Sequence, residues 1–362
     1  MTDITGFFNA RQDGDTHAKS LFTGIGGDTS DTIISDLPTF LEAAGRDYGI
    51  LRKPALVNDP FGGVDEHGNI VPVTREVEGQ YHLTRTNDGR VVSPHTVTGQ
   101  YEPLTLLDIA AEIQPWCDAG WVTPDAVYSG KNESLEVLCL RMDASGMLPN
   151  GEQWDHYIVF RNPHGSGGKA KGTIISYKPV CSNTFGAIGR GIEFSVTHRM
   201  SAKMTEEERQ TVMAKRVAKA KAAWTQADKY IAGLAQRINA WNAQPLTVVQ
   251  AGALTDTLLG IKPGADLTNR EEVSKQAANK RDAIVRGFSM PQFGTNGATL
   301  GDWVNGFTFW NSSPNSESVS KSQVASVDRM IRNVDPNGSG YKLEAKALEI
   351  ARRVLDGTIT LA

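Results

Sequence analysis

His156-Tyr157-Ile158-Val159-Phe160-Arg161, followed after a Gly-rich interval by Gly172-Thr173-Ile174-Ile175-Ser176-Tyr177, sets two β-type runs at the centre of the 362-residue chain. β-Branched and aromatic residues fit a pleated surface, and the interval Asn162-Pro163-His164-Gly165-Ser166-Gly167-Gly168-Lys169-Ala170-Lys171 is rich in turn formers. The stretch predicts an antiparallel hairpin closed by a flexible basic loop. A short helical turn is expected after Cys181-Ser182-Asn183-Thr184, and a further strand from Ile192 to His198. Beyond them Thr205-Glu206-Glu207-Glu208 has the spacing of a capping box, in which the Thr hydroxyl and the Glu carboxylate each satisfy an orphan amide. Met213, Val217, Ala220, Trp224, Ala227, Ile231, Leu234, Ile238 and Trp241 then recur at alternating steps of four and three, so one long helix is expected from Thr205 to about Asn242, stopped by Pro245.

Working outward towards the N-terminus, residues 1–36 are rich in Gly, Asp and Thr and read as an extended arm. Asp36 is placed to cap a short helix beginning at Leu37, with Pro38 in its first turn. From Leu51 to Val97 short β-type runs alternate with turn signals, including the hairpin signature Asn87-Asp88-Gly89-Arg90. A helix over Leu104–Ala119 and a strand over Ser134–Met142 follow. Towards the C-terminus, Thr268-Asn269-Arg270-Glu271 predicts the start of a helix that runs to about Arg286. Phe293 to Ser320, around Trp303 to Trp310, reads as loop, and Gly340 to Leu355 as a final helix. The expected fold is α+β. N-terminal and central antiparallel β-hairpins pack on one long central helix, with a helical C-terminal region. The expected divisions are an arm (1–36), a core with a basic surface (37–245) and a mainly helical subdomain (246–362).

Composition narrows the function. Apolar residues are 40% and charged residues 22%, which is ordinary for a globular chain. No apolar run approaches the roughly 20 residues that span a bilayer, and Met1 to Ala18 lacks an apolar signal core. Cys117, Cys139 and Cys181 are odd in number and set among apolar residues, which fits buried thiols in a reducing cytoplasm. The net charge of −4 hides an asymmetry. Residues 1–150 carry 10 basic and 22 acidic side chains, whereas residues 151–242 carry 14 and 7. Arg161, Lys169, Lys171, Lys178, Arg190, Arg199 and Lys203 stand against one acid, Glu193, and Lys215, Arg216 and Lys219 continue the excess on the long helix. Such a surface concentrates polyanions, and with Tyr177 among the cations it suits a single-stranded nucleic acid gripped by its phosphates.

Catalytic patterns fare less well. The Gly-rich interval fails the phosphate-loop pattern at both ends, because Ala170 follows Gly168-Lys169 and Pro163 stands at the first glycine position. No His or Cys pair has metal-ligand spacing. Asp143, Asp155 and Glu193 would make a metal-dependent nuclease cluster only if they converged on Mg²⁺, and Cys181 with His164 or His198 would make a nucleophile pair only if the fold joined them. No catalytic residue, metal or cofactor is therefore assigned.

Tyr177-Lys178-Pro179-Val180-Cys181-Ser182-Asn183-Thr184-Phe185, with Thr197-His198-Arg199 ahead of a long helix, resembles a phage- and plasmid-related family carried as a domain of unknown function. Thr39 to Val57, Arg85 to Pro103 and Thr299 to Thr308 share the likeness, which extends over about residues 37–355. That family in turn is similar to the phage single-strand annealing recombinases of the RecT and Erf type. The resemblance implies an ATP-independent ring or filament that holds single-stranded DNA for pairing in the cytoplasm of a bacterial host. A phage exonuclease or a host single-strand binding protein would be its partner. A structural or interaction protein of a mobile element, or a metal-dependent nuclease, are the alternative expectations.

Overall fold

The central hairpin forms as the alternation of its side chains requires. The computed structural model describes residues 7–9, 28–29, 34–129, 134–143, 146–147, 153–165, 168–178, 183–185, 194–198, 204–205, 207–212, 214–215, 218, 227–290, 297–312, 333 and 338–361. Strands β9 (Gln153–Pro163) and β10 (Lys169–Lys178) pair antiparallel, with Ile158 opposite Ile174 and Phe160 opposite Gly172. Residues directly opposite share a face, so Ile158, Phe160, Ala170 and Ile174 all point into one apolar core. Their neighbours β6 (Val122–Ser129) and β7 (Leu135–Met142) are short apolar runs buried along nearly their whole length.

Among the described residues the larger sheet runs β11 (Asn183–Phe185), β10, β9, β7, β6, β1 (Phe7–Asn9), β2 (Asp28–Thr29). β12 (Phe194–Thr197) is added on β10, and β8 (Gly146–Met147) on β9. Every pairing is antiparallel except β1 with β2. The second sheet joins β3 (Ile50–Val64), β4 (Ile70–Arg85) and the short β5 (Val97–Thr98). β3 and β4 are single strands of 15 and 16 residues, where the sequence had suggested several short runs. The turn joining them is set by Asp65, whose carboxylate accepts from the amides of His67 and Asn69, with Gly68 at φ +84°. The Asn87–Arg90 turn forms as expected, with Gly89 at φ +70°, but beyond it only a bridge joins Thr84 to Val91.

The helices cover one sheet face. α1 (Leu37–Ala43) is capped by Asp36, which accepts from the Thr39 amide at 2.8 Å, and α2 (Leu106–Asp118) by a reciprocal pair, Thr105 and Asp108. Leu106, Ile109, Ala110, Ile113, Trp116 and Cys117 form the buried stripe of α2, at helical spacing. The Thr205–Glu208 box is present, and residues 207–212, 214–215 and 218 are helical. α3 (Ala227–Ala243) places Leu234, Ile238 and Trp241 in the core, as the seam requires. Its earlier positions, from Met213 to Ile231, lie outside the described side chains.

Two expectations fail in the C-terminal third. The helix start assigned to Thr268 is a run of turns in which Asp266 accepts from the Thr268 amide and hydroxyl; α5 (Lys275–Phe288) begins later, capped by Ser274. An unforeseen helix, α4 (Val248–Leu259), precedes it, capped by Thr247 and Gln250. The stretch around Trp303 is helical, α6 (Leu300–Ser312), because Trp303, Val304 and Phe307 bury on one side and Thr299 and Asp302 make a reciprocal cap at its start. α7 (Ser339–Leu355) closes the fold. One apolar cluster includes Leu37, Phe160, Ile238, Trp303 and Val354, and so draws on residues from both sides of Pro245.

Candidate nucleic-acid interface

The cations of the hairpin lie in strand, not in loop. β10 begins at Lys169, so the two lysines assigned to a flexible tip are ladder residues: Lys169 stands opposite Thr197, and Lys171 opposite both Ser195 and Arg161. The reason is the small residue between them. Ala170 is buried in the helix-covered core beside Val196, and the period-two alternation then turns Lys169 and Lys171 to the opposite face. Arg161 shares that face. Lys169 is exposed, while Arg161 and Lys171 are half-buried. Arg161 and Lys171 stand directly opposite one another, which gathers positive charge at that end of the hairpin. Ser195, exposed, and Thr197, half-buried, add hydroxyls beside them.

The remaining basic residues divide plainly. Lys215 is exposed on helical residues 214–215. Tyr177 and Lys178 close β10, in register with Thr184 and Asn183. Arg190, Arg199, Lys203, Arg216 and Lys219 lie outside the described residues, as does Cys181. Tyr157 is wholly buried and therefore structural. Among the described residues the exposed aromatic side chains are Phe61 and Trp121, neither of which belongs to β9, β10 or β12.

The end of the hairpin is fixed by a buried polar cluster that sequence reasoning missed. Glu136, fully buried on β7, accepts from Tyr48 Oη at 2.8 Å and lies 2.8 Å from His164 Nε2. Burial alone would raise its pKa; His164, Tyr48 and Arg46 outweigh that and hold the carboxyl below its usual range. Asn162 donates to the Leu104 carbonyl at 2.6 Å, and the Arg85 guanidinium lies 4.2 Å above the Tyr48 ring. On the other side of the same junction, Tyr101 stacks on His198 with ring centroids 4.8 Å apart, and His198 Nδ1 lies 3.0 Å from the Glu102 carbonyl. Arg209 donates to the Glu102 carboxylate at 3.1 Å and to the Gly99 carbonyl, while Arg52 reaches the Gly99 and Tyr101 carbonyls. These groups are paired to one another inside the fold, so the cluster ties β7, β9 and β12 to the second sheet. An unmatched buried carboxylate is costly, and Glu136 within an apolar strand was the signal available in the sequence.

The carboxylates considered for a nuclease are only partly described. Asp155 is buried and paired with Arg141 at 3.2 Å, and Glu193 lies outside the described residues. Among the described residues no three His, Cys, Asp or Glu side chains are grouped to hold a metal ion, and no helix is long and apolar enough to cross a membrane. Comparison with protein-family models, with curated proteins and with solved structures finds no match for this chain.

Proposed function

We propose that this chain binds single-stranded DNA through the cationic end of the β9–β10 hairpin and the basic residues that adjoin it, and pairs complementary strands without ATP. The active form is an oligomeric ring or filament. The observation that carries the reading is the gathering of Arg161, Lys169 and Lys171 on one sheet face, two of them directly opposed. Cations gathered at one place attract a polyanion, and a run of phosphates is an anion of the right extent. Aromatic residues make up only 7% of the chain, which favours presentation of bases over their capture, because a protective coat gains roughly 1–3 kcal/mol for each stacked base. The sequence likeness to a phage- and plasmid-related family, itself remotely similar to annealing recombinases, is an expectation in the same direction.

The test is the salt dependence of oligonucleotide binding. Each phosphate contact to a single strand contributes about 0.7 to the slope of log affinity against log salt. Lys169→Ala with Lys171→Ala is expected to lower that slope by about 1.4 in a folded protein. An unchanged slope would remove this face from the interface. Metal-dependent cleavage of the oligonucleotide would select the nuclease reading instead.

A further inference from the structure

We propose that Ser195 and Thr197 of β12 are phosphate-binding residues, whose hydroxyls complete two rows with the cations of the hairpin and hold successive phosphates of one strand. The proposal adds residues to the site described above and rests on that reading. β10 lies between β9 and β12, and near its start the three strands are in register. Lys171 stands opposite Arg161 on one side and opposite Ser195 on the other. Lys169, two residues away, stands opposite Thr197. Ala170 and Val196, between those positions, are buried in the helix-covered core, so period-two alternation puts both lysines and both hydroxyl residues on the other face. Side chains directly opposite in a sheet have Cβ atoms about 5 Å apart, within reach of one shared anion.

Exposure bounds the strip. Lys169 and Ser195 are exposed, and Arg161, Lys171 and Thr197 are half-buried. The next row inward on that face, Val159 opposite Thr173, is buried. From the start of β10 the accessible polar strip is therefore two rows deep, Lys169–Thr197 and then Arg161–Lys171–Ser195. Those rows stand two residues apart, roughly 6.8 Å along the strand, so neighbouring phosphates of one nucleic-acid strand can take one row each. Cation and hydroxyl act differently on a phosphate. A lysine or arginine that meets one releases a counterion and so sets the salt dependence of binding. A hydroxyl donates a hydrogen bond to a phosphate oxygen, fixes where along the backbone that phosphate sits, and releases no counterion.

Binding of a short fluorescent oligothymidylate to the full chain, followed by anisotropy across a salt series, separates the two contributions. Ser195→Ala with Thr197→Val is expected to weaken binding at least about threefold at every salt concentration, with the slope of log affinity against log salt unchanged. Thr197→Ser, which keeps the hydroxyl, should bind as the wild type does. Ser195→Asp should weaken binding further and also lower the slope, because its carboxylate takes the place of a phosphate beside Lys171. A smaller loss in the hydroxyl-free variant would overturn the proposal. A reduced slope in that variant would overturn it too, by showing that the substitutions had displaced the lysines. If the hydroxyl-free variant matches wild type while Lys169→Ala with Lys171→Ala lowers the slope, the proposal fails and the phosphate-binding reading stands. Absence of binding by the wild type would sink that reading and the proposal together.

Discussion

His156 shows how a single buried side chain links this sheet to pH. It stands opposite Ser176 in the ladder, with Nδ1 2.9 Å from the serine hydroxyl, and burial pulls its pKa down to about 4. An exposed imidazole titrates near 6.5. Between those values the unfolded chain binds a proton that the folded chain refuses, so stability rises with pH across the window and is lost as the solution is acidified towards pH 4. From pH 7 to pH 5 the loss is expected to be roughly 2 kcal/mol. Urea unfolding at the two pH values should show it, and His156→Gln, which cannot titrate, should flatten the dependence. Equal pH slopes in the two proteins would show that the imidazole is already charged in the fold. At this scale the cations were legible as a charge excess, but their placement was not. Charge counts carry no register, and the alternation Lys169–Ala170–Lys171 was hidden beneath a glycine run that reads as turn.

At the scale of elements, periodicity was most informative where one face meets the core. α2, β7, β9 and the Leu234–Trp241 part of α3 follow from apolar spacing, and Asp36 and Thr205 follow from cap chemistry. α6 was obscured because Gly301, Asn305, Gly306 and Asn311 lower local helix propensity, and packing overrides propensity. The glycine has a reason that the fold makes plain. A Cβ on Gly306 would lie 2.6 Å from backbone atoms of Gly287 and Phe288, so α5 and α6 cross with their backbones nearly touching. Gly306→Ala is accordingly expected to destabilise the protein by at least about 2 kcal/mol, through a forced separation of the two helices. Gly233→Ala, with open space around its Cβ position, should cost nothing or stabilise slightly. Thermal unfolding of the pair checks this, and a Gly306→Ala midpoint equal to that of wild type would mean the helices can part freely. The β3–β4 ribbon escaped the sequence because Pro54, Pro60 and Pro72 read as strand ends, whereas on an unpaired edge they are tolerated.

Across the whole molecule, charge and topology are arranged together. The acidic N-terminal part supplies the ribbon and the second sheet, and the basic centre supplies the hairpin. The buried Tyr48–Glu136 hydrogen bond and the Tyr101–His198 stack join the core of the second sheet to the larger one near the end of the hairpin. The overall α+β class was legible because hairpins and helices alternate in separate blocks, and the charge asymmetry was visible by counting. The junction was not, since Tyr48, Glu102, Glu136 and Arg209 are distant in sequence and meet only in the fold. The proposed grip on phosphates would leave bases free to pair. The direct measurement is the rate at which complementary fluorescent oligonucleotides anneal at low salt, without ATP or divalent metal. The account predicts that stoichiometric protein accelerates pairing with little dependence on sequence, and that Lys169→Ala with Lys171→Ala loses much of the acceleration. Tight binding of single strands accompanied by slower annealing would contradict it.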